Sequence, residues 1–438
     1  MACAFLLTAP SAHAQASTPP TWDVSGSLRA RFETLDGQVR PGFNESDSVV
    51  SLRSTVFAQY RRGPLRIGGE IYDSRVWGGN RRSPISANDV NTFELVQAYV
   101  ALDGQNDRLG RVSLQAGRMV LNLGSRRLVA ADDFRNTTNG YTGARLDLAP
   151  AGFNAALIYV EPQVRLPDRI DALLDNRQRI DRESRDLTLF GGVVSRPGTL
   201  AGAMIEGSYF RLDERDAPGR PTRDRELDTY GGRIILAPSA GRWDYELEAF
   251  RQTGEISAGL AASDRTLKVR AHFLHADVGY TFVHPWRPRL SATFDLASGD
   301  KTGGRFGRFD TLFGMRRADF SPSGIFAAIG RANIVSPGLR LEVTPSPRWD
   351  GFLTARPMWL DAAEDSFSTT GVRDPAGRSG RYAGGQIEGR VRYWLIPDRL
   401  RAEINGAWLE KGRFLRHAPN APATGDTHYL AMSVIRTF

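Results

Sequence analysis

The chain has no long apolar run, and this absence excludes a helical membrane protein. A membrane-spanning helix needs about 20 consecutive apolar residues, and no stretch beyond the N-terminal residues approaches that length. The only cysteine is Cys3, so a disulfide framework cannot form. The sequence is rich in glycine, with 45 residues, and in aromatic residues, at 10%. This composition suits strands and turns, so a chain of this kind would cross a membrane as strands.

The N-terminal residues resemble the end of a secretory signal peptide. Residues 2–7 are apolar, and small residues follow with an Ala12-His13-Ala14 cleavage pattern. No basic residue precedes them, so either the true start lies further upstream or this is simply a short apolar N terminus. We expect residues 1–14 to be removed on export, which leaves one domain over residues 22–438 without cysteine.

The dominant sequence pattern is an alternation with period two, in segments of about 10 to 16 residues from one end to the other. Near the N terminus, Val24, Leu28 and Phe32 share one face, and Arg29 and Arg31 share the other. A soluble sandwich also alternates. In a sandwich the apolar face is the core, whereas in a membrane barrel it meets lipid and the polar face lines the lumen.

Long and short connections alternate along the chain, which favours the membrane barrel. About nine long loops and eight short turns give about 18 strands, an even number that puts both termini at the short-turn end. A closed all-β antiparallel barrel of this size has no sheet edges and a water-filled interior. The loop near residues 125–139 is ambiguous, because it could be a folded loop or hide a strand pair. The predicted long loops are residues 36–47, 78–91, 124–139, 162–185, 213–225, 257–266, 300–333, 362–380 and 413–426.

Aromatic residues at predicted strand ends fit the girdles that outer-membrane barrels place at the two membrane interfaces. The chain also ends in a strand with a terminal aromatic, Phe438, which resembles the signal read by the outer-membrane insertion machinery, although Arg436 interrupts its apolar face. Both features predict the outer membrane of a Gram-negative bacterium. The predicted girdle residues are Trp22, Trp77, Trp243, Trp286, Trp349 and Trp394.

No motif for catalysis or metal binding stands out. The six histidines are scattered, and His272 and His275 fall on opposite faces of a strand, so they cannot easily share a metal. Acidic pairs such as Asp132 and Asp133 could bind calcium but are more simply solvated. A barrel-embedded hydrolase remains an alternative without a motif to support it. We therefore expect no enzyme, no catalytic residue, no cofactor and no metal.

The charge pattern points to an anionic ligand. The chain has 57 basic and 49 acidic residues, and an exported chain rarely meets nucleic acid, so we expect no nucleic-acid partner. Arginines on the polar faces would attract carboxylate or phosphate solutes, because guanidinium is a fixed bidentate donor. The alternative is that they only brace the wall as ion pairs. The candidates from this pattern are Arg29, Arg31, Arg53, Arg145, Arg270, Arg390, Arg392 and Arg401.

Two stretches resemble the alginate-export family of outer-membrane proteins. In residues 94–146, a strand ends in a Gly117-Arg118 pair and is followed by a Gly-Arg loop and an Asp-Phe-x-Asn segment. In residues 273–344, the Ser-Gly-Asp turn and the FDTLF segment of residues 309–313 are the most specific features. Together the two stretches cover somewhat over a quarter of the chain.

The resemblance implies a monomeric barrel of about 18 strands whose arginine-rich lumen passes a polyanionic uronate polymer outward. It also implies an outer-membrane lipid surround and a possible periplasmic export partner. The short turns, such as residues 396–398, are too small for a periplasmic plug, so gating from outside by the loop at residues 301–333 is one expectation. A general or small-anion uptake porin on the same frame is the other. The resemblance adds the lumenal candidates Arg118, Arg126, Arg127, Arg135 and Arg145.

Overall fold

Eighteen antiparallel strands close into one barrel within residues 19–316, 319–320 and 322–438, which the computed structural model describes. The predicted signal peptide, residues 1–14, lies outside the described residues. Each strand pairs with its neighbours along the chain, and β1 pairs with β19 to close the wall. A two-residue strand, β14, pairs in parallel with β12 beyond the end of β13. The strands are β1 (Thr21–Asp36), β2 (Asp47–Arg62), β3 (Leu65–Trp77), β4 (Asn91–Asn106), β5 (Gly110–Met119), β6 (Tyr141–Ala149), β7 (Asn154–Pro162), β8 (Leu187–Arg196), β9 (Met204–Glu214), β10 (Glu226–Leu236), β11 (Arg242–Ser257), β12 (Thr266–Thr281), β13 (Arg289–Ala297), β14 (Arg305–Phe306), β15 (Ile334–Ser346), β16 (Trp349–Trp359), β17 (Tyr382–Ile396), β18 (Leu400–Lys411) and β19 (Thr427–Thr437).

Two one-turn helices, α1 (Ile170–Leu174) and α2 (Arg413–His417), lie in long connections. Neither they nor any other helix of the described residues has the length and apolar character to cross a membrane.

The alternation in the sequence places apolar side chains on the outside of the wall. Val24, Leu28 and Phe32 of β1 are exposed, whereas Arg29 and Arg31 on the other face are buried inside. The same contrast recurs around the barrel, so the outer surface is an apolar band suited to lipid.

The connections alternate in length as the sequence predicts. The turns joining β2 to β3 and β15 to β16 hold two residues each, at the end of the barrel where both termini lie. The ambiguous stretch after β5 is a folded loop without a strand pair. Across the described chain the long connections are residues 37–46, 78–90, 120–140, 163–186, 215–225, 258–265, 298–333, 360–381 and 412–426.

Aromatic pairs mark the short-turn end of the outer wall. The ring centroids of Trp243 and Tyr280 lie 5.4 Å apart, and those of Trp349 and Tyr393 lie 4.7 Å apart. These rings extend the apolar band to the level where lipid headgroups begin.

The prediction that Trp394 belongs to an interfacial girdle is wrong. This residue follows Tyr393, which takes the outward position on β17, so the indole of Trp394 faces the lumen. There the guanidinium groups of Arg392 and Arg401 lie 5.2 Å and 5.8 Å from its ring centroid. This tryptophan therefore belongs to the lumenal wall and not to the membrane interface.

The long-loop half of the barrel is filled with apolar side chains from its own loops. Leu128, Val129, Phe320 and Phe326 are fully or almost fully buried there. The expectation of a lumen filled with water along its whole length is therefore wrong for this half, because two long loops fold inward and pack against the wall.

Candidate lumenal transport site

The loop between β5 and β6 (residues 120–140) and the loop between β13 and β15 (residues 298–333) meet inside the barrel. The amide of Phe313 donates to the carbonyl of Leu128 at 2.9 Å, and the amide of Met315 donates to the carbonyl of Arg126 at 3.1 Å. The Asn139 side-chain amide bridges both loops, because it donates to the carbonyls of Ala130 and Phe313. We call these two segments the constriction loops.

Three predicted lumenal arginines hold the first constriction loop against β1 and β2. Arg29 donates to the backbone carbonyls of residues 133–135 at 2.6–3.2 Å. Arg31 donates to the Phe134 carbonyl at 2.7 Å and stacks 4.0 Å from the centroid of its ring, and Arg53 donates to the Arg135 carbonyl at 3.2 Å. These three arginines therefore brace the loop through its backbone carbonyls.

Arg127 ties the same loop to the opposite wall. Its guanidinium is bidentate to Asp319 of the second constriction loop, at 2.7 and 2.8 Å, and also contacts Glu246 and Glu248 of β11 at 2.5 and 2.8 Å. Arg331 binds Asp319 from the other side. The first loop thus spans the lumen from β1 and β2 to β11, with the charges at its far end compensated.

The second constriction loop has its own anchor on β1. The carboxylate of Glu33 accepts the amide of Ile325 at 3.0 Å and the hydroxyl of Tyr429 at 3.1 Å. Gly324 has φ +44° here, and a Cβ at this position would lie 2.2 Å from the Glu33 carboxylate. The left-handed backbone conformation and the nearby carboxylate both favour glycine where this loop meets the wall.

A cavity of about 550 Å³ opens between the second constriction loop and the long connection before β10. Two of its arginines have no carboxylate partner among the described residues. Arg223 donates to the carbonyls of Ser257 and Ala258, and Arg316 donates to the carbonyl of Ala327 at 2.9 Å. Burial lowers the pKa of Arg223, and burial together with nearby Arg135 lowers the pKa of Arg316 to about 10. Both stay cationic at neutral pH and make no ion-pair contact among the described residues, although Asp300 lies near enough to act on the charge of Arg223.

A second cavity of about 620 Å³ lies towards the short-turn end, along the walls of β2 to β9. Arg66 is bidentate to Asp103, at 2.6 and 2.8 Å, and Arg145 is bidentate to Asp147, at 2.8 Å. These pairs present guanidinium groups that already have carboxylate partners.

The wall from β15 to β18 combines arginines with aromatic rings. The guanidinium groups of Arg340 and Arg390 lie 3.8 Å and 5.2 Å from the centroid of the Phe352 ring. Arg392 and Arg390 both pair with Asp350. With Trp394 beside them, these groups form a strip of flat, cationic surface, which suits a sugar ring that carries a carboxylate.

Ten of the twelve candidate arginines lie inside the barrel, and two do not. Arg270 is exposed on the outer wall, because in this half of β12 the inward positions are apolar: Phe273 stacks on Phe309 of the second constriction loop at 5.5 Å. Arg118 shares its strand face with the exposed Leu114, and it binds Glu94 of β4 and Glu183 of the β7–β8 loop. The ten inside are Arg29, Arg31, Arg53, Arg126, Arg127, Arg135, Arg145, Arg390, Arg392 and Arg401, and their contact with a solute stays a prediction.

Sequence reasoning missed three lumenal arginines, Arg223, Arg316 and Arg340. Arg223 and Arg316 lie in loops, where no alternation assigns a face, whereas Arg340 lies on β15, where the alternation does identify it as inward. The FDTLF segment of the family resemblance, residues 309–313, lies in the second constriction loop, and its Phe309 lines the cavity. This segment was the signal in the sequence that could have pointed to the cavity.

His275, Asp295 and Asp319 form a cluster whose potential ligand atoms lie within 4.8 Å of one another. Arg356 binds Asp295 at 3.2 Å, and Arg127 and Arg331 bind Asp319. Guanidinium groups thus occupy the positions around these carboxylates, and a metal ion would have to displace them, so we assign none.

The β7–β8 loop carries a pH-sensitive carboxyl group, Asp181. Burial and the nearby Glu94 raise its pKa to about 7, while it accepts hydrogen bonds from the Leu166 amide and from Asn91. A pKa above the unfolded value of about 3.9 means that the protonated form stabilises the fold. This contribution is full below about pH 4 and is lost as the pH rises through about 7.

We therefore expect hydrogen exchange in residues 163–182 to accelerate by about tenfold or more from pH 5 to pH 8, after correction for the intrinsic rate. Asp181→Asn should abolish this dependence, and Asp175→Asn, at an exposed site of the same loop, should preserve it. An unchanged pH dependence in Asp181→Asn would assign the effect to another group.

A closed barrel of 18 strands, with an apolar outer band and an interior narrowed by inward loops, is an outer-membrane channel of the porin type. The chain matches the alginate export family over residues 21–427 and belongs to that family. Its long loops therefore face outside the cell and its short turns face the periplasm. No curated protein sequence matches the chain at a significant level.

Solved structures with the same fold include porins of two Pseudomonas species. The BenF-like porin of Pseudomonas fluorescens Pf-5 superposes with a TM-score of 0.61 at 11% identity, over 95% of this chain and 99% of that one. The outer-membrane protein OpdK of Pseudomonas aeruginosa gives 0.59 at 11%, over 95% and 99%. OccK2 (OpdF) of the same species, in complex with glucuronate, gives 0.56 at 13%, over 95% and 97%.

Proposed function

We propose that this protein is a passive channel for an anionic polysaccharide of the alginate type, or for its oligosaccharides. The observation that carries the proposal is the extracellular cavity, in which Arg223 and Arg316 form no ion pair with a carboxylate of the part of the chain that the structure describes. Membership of the alginate export family supports the same substrate class.

The chemistry of the lumen fits a uronate chain. A guanidinium group without a carboxylate partner gains most from a ligand carboxylate, because both donors of its planar fork can then bind charged oxygen. Arginines that already have partners, such as Arg66 and Arg145, offer weaker secondary contacts and let the solute leave again. The solute thus meets strong and weak sites in series, which is the condition for conduction.

Single-channel conductance in planar bilayers tests the proposal, with oligouronates titrated against neutral oligosaccharides of equal length. We expect anion-selective current that oligouronates block, with the half-blocking concentration raised about tenfold or more in the Arg223→Gln/Arg316→Gln variant, since each lost charge-assisted contact contributes about 1.5–3 kcal/mol. Arg211→Gln is the matched control, because Arg211 lies on the outer wall and pairs with Asp213. Equal block by neutral sugars, or no effect of the double variant, would contradict the proposal.

An uptake porin for small anions is the second candidate function, and the glucuronate complex of OccK2 (OpdF) favours it. The two functions differ in their dependence on chain length. A polymer channel should be blocked more tightly by longer oligouronates, because these reach both the extracellular cavity and the arginine strip around Phe352 and Trp394. An uptake porin for small anions should respond to monomeric glucuronate as strongly as to the oligomers.

We also propose that the barrel acts as a monomer without enzymatic activity or a bound cofactor, and that Phe438 contributes to recognition by the insertion machinery. Its backbone pairs with Gly26 of β1, with N···O distances of 3.0 and 3.1 Å, so the terminal residue already belongs to the closing seam. Recovery of oligouronates unchanged after prolonged incubation tests the absence of enzymatic activity on them. Assembly of the Phe438→Ala variant in cells tests the role of Phe438, and we expect slower insertion into the outer membrane.

A further inference from the structure

The outer wall carries cationic side chains directly above its apolar band, at the extracellular ends of β11, β12 and β14. Arg251, Lys268, Arg270 and Arg305 are all exposed there. We call these four residues the outer basic patch. None of them lines the lumen, so transport through the barrel does not account for them.

Strand register fixes the direction and the level of the patch. Arg270 is the cross-strand partner of Thr253, and Arg251 is the partner of His272. Four residues beyond Arg270 on the same face comes Leu274, an exposed residue of the apolar band. The patch therefore faces the surrounding lipid at about the level where the hydrocarbon ends.

The patch carries four cationic side chains, and the outward carboxylates beside it are Glu255 of β11 and, on β10, Glu226 and Asp228, which Arg211 engages. Among the described residues, Lys268 pairs with Glu255, whereas Arg251, Arg270 and Arg305 make no ion pair. An outward arginine is tolerated near the interface, and its donors there are free for an anion of the lipid. Guanidinium groups prefer phosphate and carboxylate oxygens, which they bind in bidentate fashion.

We propose that the outer basic patch binds the phosphate groups of the glycolipid that forms the outer leaflet of the membrane. The patch lies on the extracellular side, where that lipid is found, and its net positive charge complements the phosphates of the headgroup. Binding there would fix one or more lipid molecules against the β11–β12 hairpin. This role is independent of the solute in the lumen.

The test is lipid binding to the purified full-length barrel in detergent, followed by native mass spectrometry. The probes are bisphosphorylated lipid A and the same lipid with both phosphates removed. We expect the wild-type protein to retain the bisphosphorylated lipid, and the Arg251→Gln/Arg270→Gln variant to bind it about tenfold more weakly or worse. Arg211→Gln should leave binding unchanged, because that outward arginine is already neutralised by Asp213 and Asp228.

Single-channel conductance of the double variant, unchanged from wild type, would show that the barrel is intact. Equal retention of the phosphate-free lipid by the wild-type protein would overturn the proposal. So would an unaltered affinity of the double variant for the bisphosphorylated lipid. An absence of oligouronate block in the wild-type protein, by contrast, would count against the proposed function and not against lipid binding at this surface.

Discussion

Replacing Arg127 by methionine should release the first constriction loop and increase single-channel conductance several-fold. Arg127 is buried and neutralises Asp319, Glu246 and Glu248 at once. Removing one partner of a buried ion-pair network costs about 3–5 kcal/mol, because the remaining charges have no compensation. The folded loop would lose its attachment to β11 and Asp319, while the barrel wall, with its own continuous hydrogen bonds, would remain.

The neighbouring Arg126→Met variant is the control. Arg126 belongs to the same loop and pairs with Asp133, but that carboxylate is 68% exposed and its interaction with arginine is correspondingly weak. Conductance and limited proteolysis of the loop should change little in this variant. Identical conductance in Arg127→Met and the wild type would mean that the first constriction loop does not limit the pore.

The strands could be predicted from the sequence because alternation is a local signal. The connection predicted at residues 413–426 is observed at 412–426, and the one predicted at 300–333 is observed at 298–333. The packing of the loops could not be predicted. Leu128, Val129 and Phe326 are buried only because two loops more than 150 residues apart meet inside the barrel, and no local period encodes that meeting.

The candidate site shows the same division. Arg29 and Arg53 are cross-strand partners on the inner wall, as their alternation implies. The prediction that Arg270 faces the lumen is wrong, because in the long-loop half of β12 the inward residues are apolar and the outward residues are polar. There the interior is apolar, with Phe273 against the constriction loops, and the exterior lies above the hydrocarbon and is polar. A pattern that assumes a polar lumen therefore fails wherever loops fill the lumen.

Gly314→Ala should separate the two constriction loops, with an effect on the pore comparable to that of Arg127→Met. A Cβ at Gly314 would lie 1.8 Å from the Arg127 carbonyl and 3.1 Å from the Leu128 amide nitrogen, both backbone atoms that cannot rotate away. The pairing of Phe313 and Met315 with the first loop would have to break. Labelling of a cysteine introduced by Ala130→Cys measures this separation, since residues 15–438 contain no other cysteine. We expect labelling in Gly314→Ala to be about tenfold faster or more, because the site changes from fully buried to open.

Gly425→Ala in the connection before β19 is the matched control, because a Cβ there meets no atom within 4 Å. Its labelling rate at position 130 and its conductance should equal those of the unsubstituted barrel. The two constriction variants also separate two explanations of the narrow lumen. If Arg127→Met opens the pore and Gly314→Ala does not, the wall contact alone holds the first loop. If both open it, the constriction loops act as one unit, in which each loop needs the other to stay inside.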